Sequence, residues 1–205
     1  MKRALVPGSY NPVTLGHLDL ILRAAELFDE VYAVIFDNCD KKYAYSLDER
    51  LEMLEKSVAP YSEKDGRGRI IACSSNGFLA DYVKDHEINA VVKGARGTVD
   101  FDYEYSLSII NRSFDSSFET VILPSKAEYQ HISSTVVREL VKYGKDVRGY
   151  VPEEIEDMLK KSKSGRITGC NASVFCYLYC NFNYAPTVIR HFDYIPIGVA
   201  LFIFF

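Results

Sequence analysis

The feature that most constrains the fold is an alternation of two kinds of segment along the first 160 or so residues. Short runs rich in β-branched and apolar residues alternate with longer stretches in which apolar residues recur at helical spacing. This pattern is typical of parallel strands joined by crossover helices, because a parallel connection needs a dozen or more residues. The sequence therefore predicts an α/β protein built on one parallel sheet.

The alternation places five strands and six helices along the chain. The strands are predicted near Ala4 to Val6, Val31 to Phe36, Ile70 to Cys73, Ala90 to Val92 and Thr120 to Leu123. The helices are predicted after Gly16, after Ser46, and over Phe78 to Lys84, Phe101 to Asn111, Ser134 to Lys142 and Glu153 to Lys161. Residues Glu63 to Gly68 read as a solvated loop. The expected architecture is a Rossmann-like, doubly wound, five-stranded parallel sheet with flanking helices.

Charge and cysteine usage exclude several classes of protein. A net charge of −4 argues against a non-specific nucleic-acid binder, which needs a basic face. No long apolar segment follows Met1, so export is not expected. The sequence instead predicts a cytoplasmic location. Five cysteines are typical of reduced thiols in such a chain. Cys176 and Cys180 lie near His191 without a second ligand pair, so no zinc site is predicted.

The character of the chain changes after residue 162. Only Lys163, Arg166, Arg190 and Asp193 are charged among the last 43 residues. The sequence thus predicts a domain over 1–162 and an apolar C-terminal extension over 163–205. Three interpretations of the extension stay open: a packed segment, a membrane-seeking end, or non-native sequence such as read-through in a shifted frame, which is favoured. Its last apolar run, 194–205, is too short to span a membrane.

Polar and charged residues follow the predicted strands, where ligands bind in an open parallel sheet. They are Ser9 and His17 after the first strand, Asp37, Lys41 and Lys42 after the second, Asn76 to Leu79 after the third, Lys93 to Arg96 after the fourth, and Ser125 to Thr135 after the fifth. Each group alone is explained by a turn, a solvated charge or a helix cap. Together they predict an anion site, and phosphate is its natural ligand.

Several mechanistic classes are not supported by the motifs. The chain has no Walker-type glycine-lysine loop, no complete Gly-x-Gly-x-x-Gly fingerprint and no Gly-x-Ser-x-Gly elbow. The remaining interpretation is phosphate handling by backbone amides, imidazole and lysine, without a covalent nucleophile.

Four motifs carry a resemblance to a known family. PGSYNPVTLGH over 7–17, Lys41, KGARGTVDFDYE over 93–104 and ISST over 132–135 resemble, in order and spacing, the motifs of the phosphopantetheine adenylyltransferases. That family belongs to the nucleotidyltransferase superfamily with a Thr-x-Gly-His or His-x-Gly-His signature. The resemblance covers about residues 2–161. It implies transfer of an adenylyl group from ATP to 4'-phosphopantetheine by direct in-line attack, giving dephospho-coenzyme A and pyrophosphate.

The resemblance also implies the site residues. His17 and Lys41 would be catalytic, with Mg2+ bridging the ATP phosphates and no metal ligand supplied by the protein. The residues implied for ATP are Ser9, Tyr10, His17, Gly94, Ala95, Arg96, Glu104, Tyr129, Gln130, His131, Ile132, Ser133, Ser134 and Thr135. Those implied for the acceptor are Ser9, Lys41, Leu79 and Lys93. Lys93 stands where many relatives carry arginine, and it offers a point charge instead of a planar fork. Ser9 stands for threonine and keeps the hydroxyl.

Assembly and alternative functions complete the expectations. The resemblance implies a homo-oligomer, a hexamer, and feedback inhibition by coenzyme A. Two alternatives stay open: another enzyme of the superfamily, with nicotinamide mononucleotide or glycerol phosphate as acceptor, and a nucleotide-binding module without activity.

Overall fold

A computed structural model describes residues 1–37, 41–61 and 66–161. Its centre is a five-stranded sheet in the order β3-β2-β1-β4-β5, in which every neighbouring pair is parallel. The strands are β1 Arg3–Gly8, β2 Glu30–Phe36, β3 Arg69–Ser75, β4 Ala90–Ala95 and β5 Glu119–Pro124. The predicted α/β class and the Rossmann-like parallel sheet are thereby confirmed, and each strand lies where the sequence placed it.

Six α-helices flank the sheet. They are α1 Leu15–Leu27, α2 Leu47–Val58, α3 Leu79–Asp85, α4 Thr98–Phe114, α5 Ser134–Lys142 and α6 Glu156–Lys161. Several predicted helix boundaries differ from the structure: α1 begins at Leu15 and not after Gly16, and α3 is shifted by one residue toward the C-terminus. Helix α4 extends three residues beyond the predicted range at each end, and the predicted helix over Glu153 to Lys161 begins as a 3-10 turn, Glu153–Ile155, before α6.

Side-chain caps fix where the helices begin. Thr14 is the N-cap of α1 and Ser46 is the N-cap of α2, and each forms a capping box with the residue three positions later. Ser133 accepts a hydrogen bond from the main-chain N–H of Val136 and caps α5. These caps satisfy N–H groups that the first turn of a helix leaves without intrahelical partners.

Apolar side chains cover both faces of the sheet, as a doubly wound fold requires. Along β1, Ala4 and Val6 belong to one core cluster, which also contains buried residues of α1, α2 and α5. Leu5, which points to the opposite face, belongs to a second cluster with residues of α3. Because the chain winds outward from β1 in both directions, β1 and β4 form the switch point, and a crevice is expected at their carboxyl ends.

The prediction of a solvated loop over Glu63 to Gly68 is wrong for its last residue, Gly68. Residues 62–65 lie outside the described residues, but Gly68 packs tightly against the end of α1. Its N–H donates to the carbonyl of Ala25 at 2.6 Å, and an added Cβ would collide with the carbonyl oxygen of Phe28. Gly68 is therefore a close-approach glycine and not a freely solvated one.

Residues 162–205 lie outside the described residues, and the predicted extension over 163–205 and its boundary stay predictions. The cysteines and histidine weighed above as a zinc site, Cys176, Cys180 and His191, also lie there. No helix among the described residues has the length and apolar character needed to cross a membrane.

Candidate active site

His17 lies in the first turn of α1, at the carboxyl end of the central strand β1. The main-chain N–H of Thr14 donates to Nδ1 of His17 at 3.1 Å, and the main-chain N–H of His17 donates to Oγ1 of Thr14 at 3.3 Å. Because Nδ1 accepts a hydrogen bond, the proton of the neutral imidazole is assigned to Nε2. The capping box therefore leaves Nε2–H as a donor for a ligand.

The surroundings of His17 keep its ring neutral. Burial lowers the pKa of the imidazole to about 4, and the positive charge of Arg96 adds to this effect. The ring is therefore uncharged at neutral pH and acts as a hydrogen-bond donor, not as a cation.

The buried side chain of Tyr10 packs against the imidazole of His17. Its side chain is 1% exposed, its hydroxyl donates to the carbonyl of Val6 at 2.8 Å, and its ring meets the His17 ring edge-on at 5.1 Å. Tyr10 adopts a positive φ of 45°, and a Cβ on Gly8 would lie 3.0 Å from its ring. The Tyr10 side chain is thus part of the support for His17 and does not face solvent.

Three main-chain donors stand at helix N-termini on the same edge of the sheet. The N–H of Gly16 in α1 and the N–H groups of Ser134 and Thr135 in α5 have no acceptor among the described residues. Such donors, together with the positive end of the helix dipole, favour anions.

The segment over Tyr129 to Thr135 packs against the loop that precedes α1. Ser134 Oγ donates to the carbonyl of Pro12 at 2.7 Å, and Cβ of Tyr129 lies 3.8 Å from the position of a Cβ on Gly16. Ile132 is buried, and the His131 ring meets that of Tyr150 edge-on at 5.8 Å. Gln130 continues the short 3-10 turn before it. The predicted ATP residues of this segment and His17 therefore share one neighbourhood.

The end of β4 brings Gly94, Ala95 and Arg96 to the same edge. A Cβ on Gly94 would approach Leu20 of α1 to 3.3 Å, so glycine permits the close packing of helix and strand. Arg96 follows the strand, and its Nε lies 2.8 Å from Oδ2 of Asp100. Its positive charge contributes to the lowered pKa of His17.

Lys93 and Glu104 pair with each other, which the sequence did not predict. Nζ of Lys93 lies 3.2 Å from Oε2 of Glu104, and their side chains are only 20% and 16% exposed. The hydrogen bond of Nζ goes to Oε1 at 3.4 Å, and the buried Oε2 accepts no hydrogen bond of suitable geometry within the described part of the chain. Leu79, at the start of α3, packs against the second core cluster. These predicted ligand residues lie at or beyond the carboxyl ends of β3 and β4.

Ser9 and Lys41 are both exposed, after the neighbouring strands β1 and β2. The structure therefore places these two predicted acceptor contacts at the same edge of the sheet as His17. The convergence of Lys41 and His17 on one ligand stays a prediction.

Two arginines of the site were missed by the sequence analysis. Arg138 Nη1 donates to the carbonyl of Asn11 at 2.6 Å, and Nη2 donates to Oγ1 of Thr135 at 3.0 Å. Arg50 is buried and contacts the carbonyl of Ser9. One sequence signal could have identified Arg50 as buried. It lies three and four residues before Met53 and Leu54, so helical spacing places it on the same buried face of α2.

The donor set does not form a metal centre of its own. Among the residues that the structure describes, no group of three His, Cys, Asp or Glu side chains could hold a metal ion.

Comparisons with known proteins agree with this geometry. The cytidylyltransferase-like family model matches residues 5–140. Phosphopantetheine adenylyltransferase of Pseudarthrobacter chlorophenolicus is 44% identical over 155 residues, which cover 76% of this chain and 90% of the relative. The protein of the same name from Clostridium perfringens strain ATCC 13124 is 35% identical over 170 residues, with 82% and 100% coverage.

A solved structure supports the fold. Plasmodium falciparum nicotinic acid mononucleotide adenylyltransferase, complexed with NaAD, superposes with a TM-score of 0.57 at 16% identity, over 78% of this chain and 96% of that one. At this identity the match speaks for the architecture alone. The family model and the identity and coverage of the sequence relatives together show that the chain belongs to the phosphopantetheine adenylyltransferase family of cytidylyltransferase-like proteins.

Proposed function

We propose that this chain transfers the adenylyl group of ATP to 4'-phosphopantetheine, giving dephospho-coenzyme A and pyrophosphate in coenzyme A biosynthesis. The observation that carries the proposal is the neutral His17, whose Nε2–H is left as a donor at a helix N-terminus, in a chain of this family. A neutral donor at that place suits a phosphate whose charge increases during the reaction.

The reaction is a direct displacement at phosphorus. An oxygen of the acceptor phosphate attacks the α-phosphorus of ATP, a new P–O bond forms, and the bond to the β-phosphate oxygen breaks with release of pyrophosphate. His17 Nε2–H and the Gly16 N–H donate to the α-phosphate, while Lys41 neutralises its charge and orients the acceptor phosphate. Positioned donors, not a nucleophilic side chain, lower the barrier.

The remaining ATP contacts belong to the two neighbouring segments. The N–H groups of Ser134 and Thr135 receive the leaving pyrophosphate, because both lack an acceptor in the described structure. The hydroxyls contribute less, since Ser134 Oγ already donates to the carbonyl of Pro12 and Thr135 Oγ1 accepts from Arg138. Arg96 adds positive charge, and Glu104 contacts the nucleotide.

The acceptor contacts are Ser9, Lys41, Leu79 and Lys93. Lys93 binds the acceptor phosphate with its ammonium group, which is also paired with Glu104. Leu79 holds the pantetheine arm through its main chain. Mg2+ would be held by the ATP phosphates, where it supplies charge neutralisation.

Product identification tests the proposal. The purified chain is mixed with ATP, Mg2+ and 4'-phosphopantetheine, and dephospho-coenzyme A and pyrophosphate are measured together. The expected result is equimolar formation of both. Replacing 4'-phosphopantetheine by nicotinamide mononucleotide or glycerol phosphate, with ATP or CTP, tests the other acceptors of the superfamily. Turnover with one of these and not with 4'-phosphopantetheine would overturn the proposal, as would tight ATP binding without any pyrophosphate release.

The role of His17 is tested by His17→Ala. Loss of one donor to a developing charge typically costs about 10²–10³-fold in kcat, and that loss is expected here. His86→Gln is the matched control, because His86 lies after α3 and stacks on Tyr82. Near-normal kcat in His17→Ala would remove His17 from the mechanism.

Assembly into a hexamer, inhibition by coenzyme A and a cytoplasmic location are also part of the proposal. Helix α4 supports the assembly, because seven of its large apolar or aromatic side chains are at least 45% exposed. They are Val99, Phe101, Tyr103, Tyr105, Ile109, Ile110 and Phe114. Sedimentation velocity should give a hexamer that Ile109→Glu converts to smaller species. A monomeric wild-type chain would contradict this part, and product formation in the presence of coenzyme A tests the feedback.

A further inference from the structure

Arg50 is a positively charged side chain with almost no solvent contact. It lies on α2 and is 1% exposed. A buried charge of this kind is costly unless every donor and the charge itself are satisfied. The partners of Arg50 therefore show what the residue is placed to hold.

The guanidinium group contacts three segments at once. Nη1 donates to the carbonyl of Ser9 at 3.1 Å, in the loop after β1. Nη2 pairs with the carboxylate of Asp37 at the end of β2, and Nε donates to the carbonyl of Ser46 at 3.4 Å. The flat face of the group stacks on the ring of Tyr43 at 3.9 Å.

Two of these partners flank Lys41 along the chain. Asp37 precedes Lys41 by four residues and Tyr43 follows it by two, and both contact the same guanidinium group. Another partner is the carbonyl of Ser9, in the loop after the neighbouring strand β1. Arg50 thus ties the segment that carries Lys41 to the loop that carries Ser9.

Only arginine can make this set of contacts. Its planar fork donates in several fixed directions while its face stacks on an aromatic ring. Lysine keeps the charge but has neither the fork nor the flat face, so it cannot hold the three segments in one geometry.

We propose that Arg50 is a positioning residue for the adenylyl transfer, which fixes Ser9 and Lys41 relative to each other without touching substrate. This inference rests on the proposed function, since it concerns how the acceptor phosphate is presented to the α-phosphate. Misplacement of reacting groups by about 1 Å can cost about 10²-fold in rate, so a loss of this coupling is expected in kcat.

The test compares Arg50→Lys, Tyr43→Leu and Asp37→Ala with Val58→Ala. Val58 is a buried residue at the other end of α2 from Arg50, so its variant is a control for loss of stability alone. Steady-state kinetics with both substrates are measured well below the midpoint of thermal unfolding of each variant. We expect kcat to fall by about tenfold or more in Arg50→Lys, with a smaller change in the KM for ATP, and to stay within about twofold in Val58→Ala.

The outcomes separate the two proposals. If the wild-type chain forms no dephospho-coenzyme A, the proposed function fails. If the wild type is active and folded Arg50→Lys keeps its kcat, only the positioning role fails. If Arg50→Lys does not fold, Tyr43→Leu and Asp37→Ala decide: a lower kcat in both supports the role, and an unchanged kcat in either one overturns it.

Discussion

The main-chain N–H of Thr14 lies 3.1 Å from Nδ1 of His17, and this hydrogen bond fixes which imidazole nitrogen faces the ligand. A main-chain N–H can donate only to an unprotonated nitrogen. The helix cap and the proposed catalytic donor are therefore one arrangement, because the bond that caps the helix also leaves Nε2 protonated.

The tautomer and the ionisation of His17 can be observed directly. Burial lowers the pKa of this imidazole to about 4, so the neutral Nε2–H form should persist across the whole neutral range. Two-dimensional nitrogen NMR of the histidine rings, recorded from pH 7.5 down to the acid limit of folding, should show a protonated Nε2 and no transition near pH 6.5. An Nδ1–H tautomer would contradict the assignment.

The same shift makes stability depend on pH. The folded-state pKa of His17 lies below the ordinary value of 6.5, so between pH 6.5 and about 4 the unfolded chain binds more protons. Stability due to His17 is complete above pH 6.5 and decreases as the pH falls, by a total on the order of 3 kcal/mol. In urea unfolding, His17→Gln should therefore lose less free energy than the wild type between pH 7 and 4.5. Equal losses in both proteins would show that His17 does not titrate in this window.

Lys93→Arg is expected to change affinity for the acceptor more than turnover. Arginine presents its N–H donors in a planar fork that can bind a phosphate through two parallel hydrogen bonds while it stays paired with Glu104, whereas the Lys93 ammonium acts as a point charge. The KM for 4'-phosphopantetheine should fall, with kcat within about threefold of wild type. Lys84→Arg, on the exposed side of α3, is the control. An unchanged KM in Lys93→Arg would contradict the expected gain from bidentate binding of the acceptor phosphate.

Gly68→Ala should destabilise the fold strongly. The new Cβ would meet the carbonyl oxygen of Phe28, which belongs to the rigid end of α1, so the backbone has to shift. A loss of roughly 1–3 kcal/mol is expected in urea unfolding, as for other overpacked positions. Gly97→Ala is the matched control, because nothing lies within 4 Å of its added Cβ. Equal free energies of unfolding for the two variants would contradict this prediction, because they would show that the backbone around residue 68 shifts without cost.

Removal of residues 163–205 tests the predicted domain boundary. The chain 1–162 should fold and retain the activity of the full chain, because the matched family region and all predicted site residues precede residue 163. Circular dichroism and product formation of both chains check this. Loss of folding or activity on truncation would show that the extension is needed.

Local periodicity explains why the element positions were predictable. Strand residues such as Val31 and Ile35 and helix residues such as Leu51 and Leu54 repeat at the spacing of their own element, and this spacing is visible in one chain segment at a time. Gly68 was misjudged because its partner, Phe28, is 40 residues away in sequence. No local pattern distinguishes a loop glycine in solvent from one pressed against a helix end.

The residues of the candidate site were also predictable only where the evidence for them is local in sequence. The motif residues His17, Arg96 and Thr135 could be named from the sequence, since each follows a strand and carries chemistry suited to phosphate. The pairing of Lys93 with Glu104 could not be named, because it depends on how α4 lies over β4.

The amino-acid order by itself determined the class of fold, the order of its elements and the residues that stand at the carboxyl ends of the strands, because these depend on short-range periodicity and on the rule for parallel sheets. The tertiary structure alone decided which nitrogen of His17 is the donor, which buried arginine joins Ser9 to the Lys41 segment and which charge Lys93 neutralises. These properties are set by contacts of about 3 Å between residues that are 3, 41 and 11 positions apart in the chain, and hydrogen bonds and ion pairs weaken steeply beyond such distances.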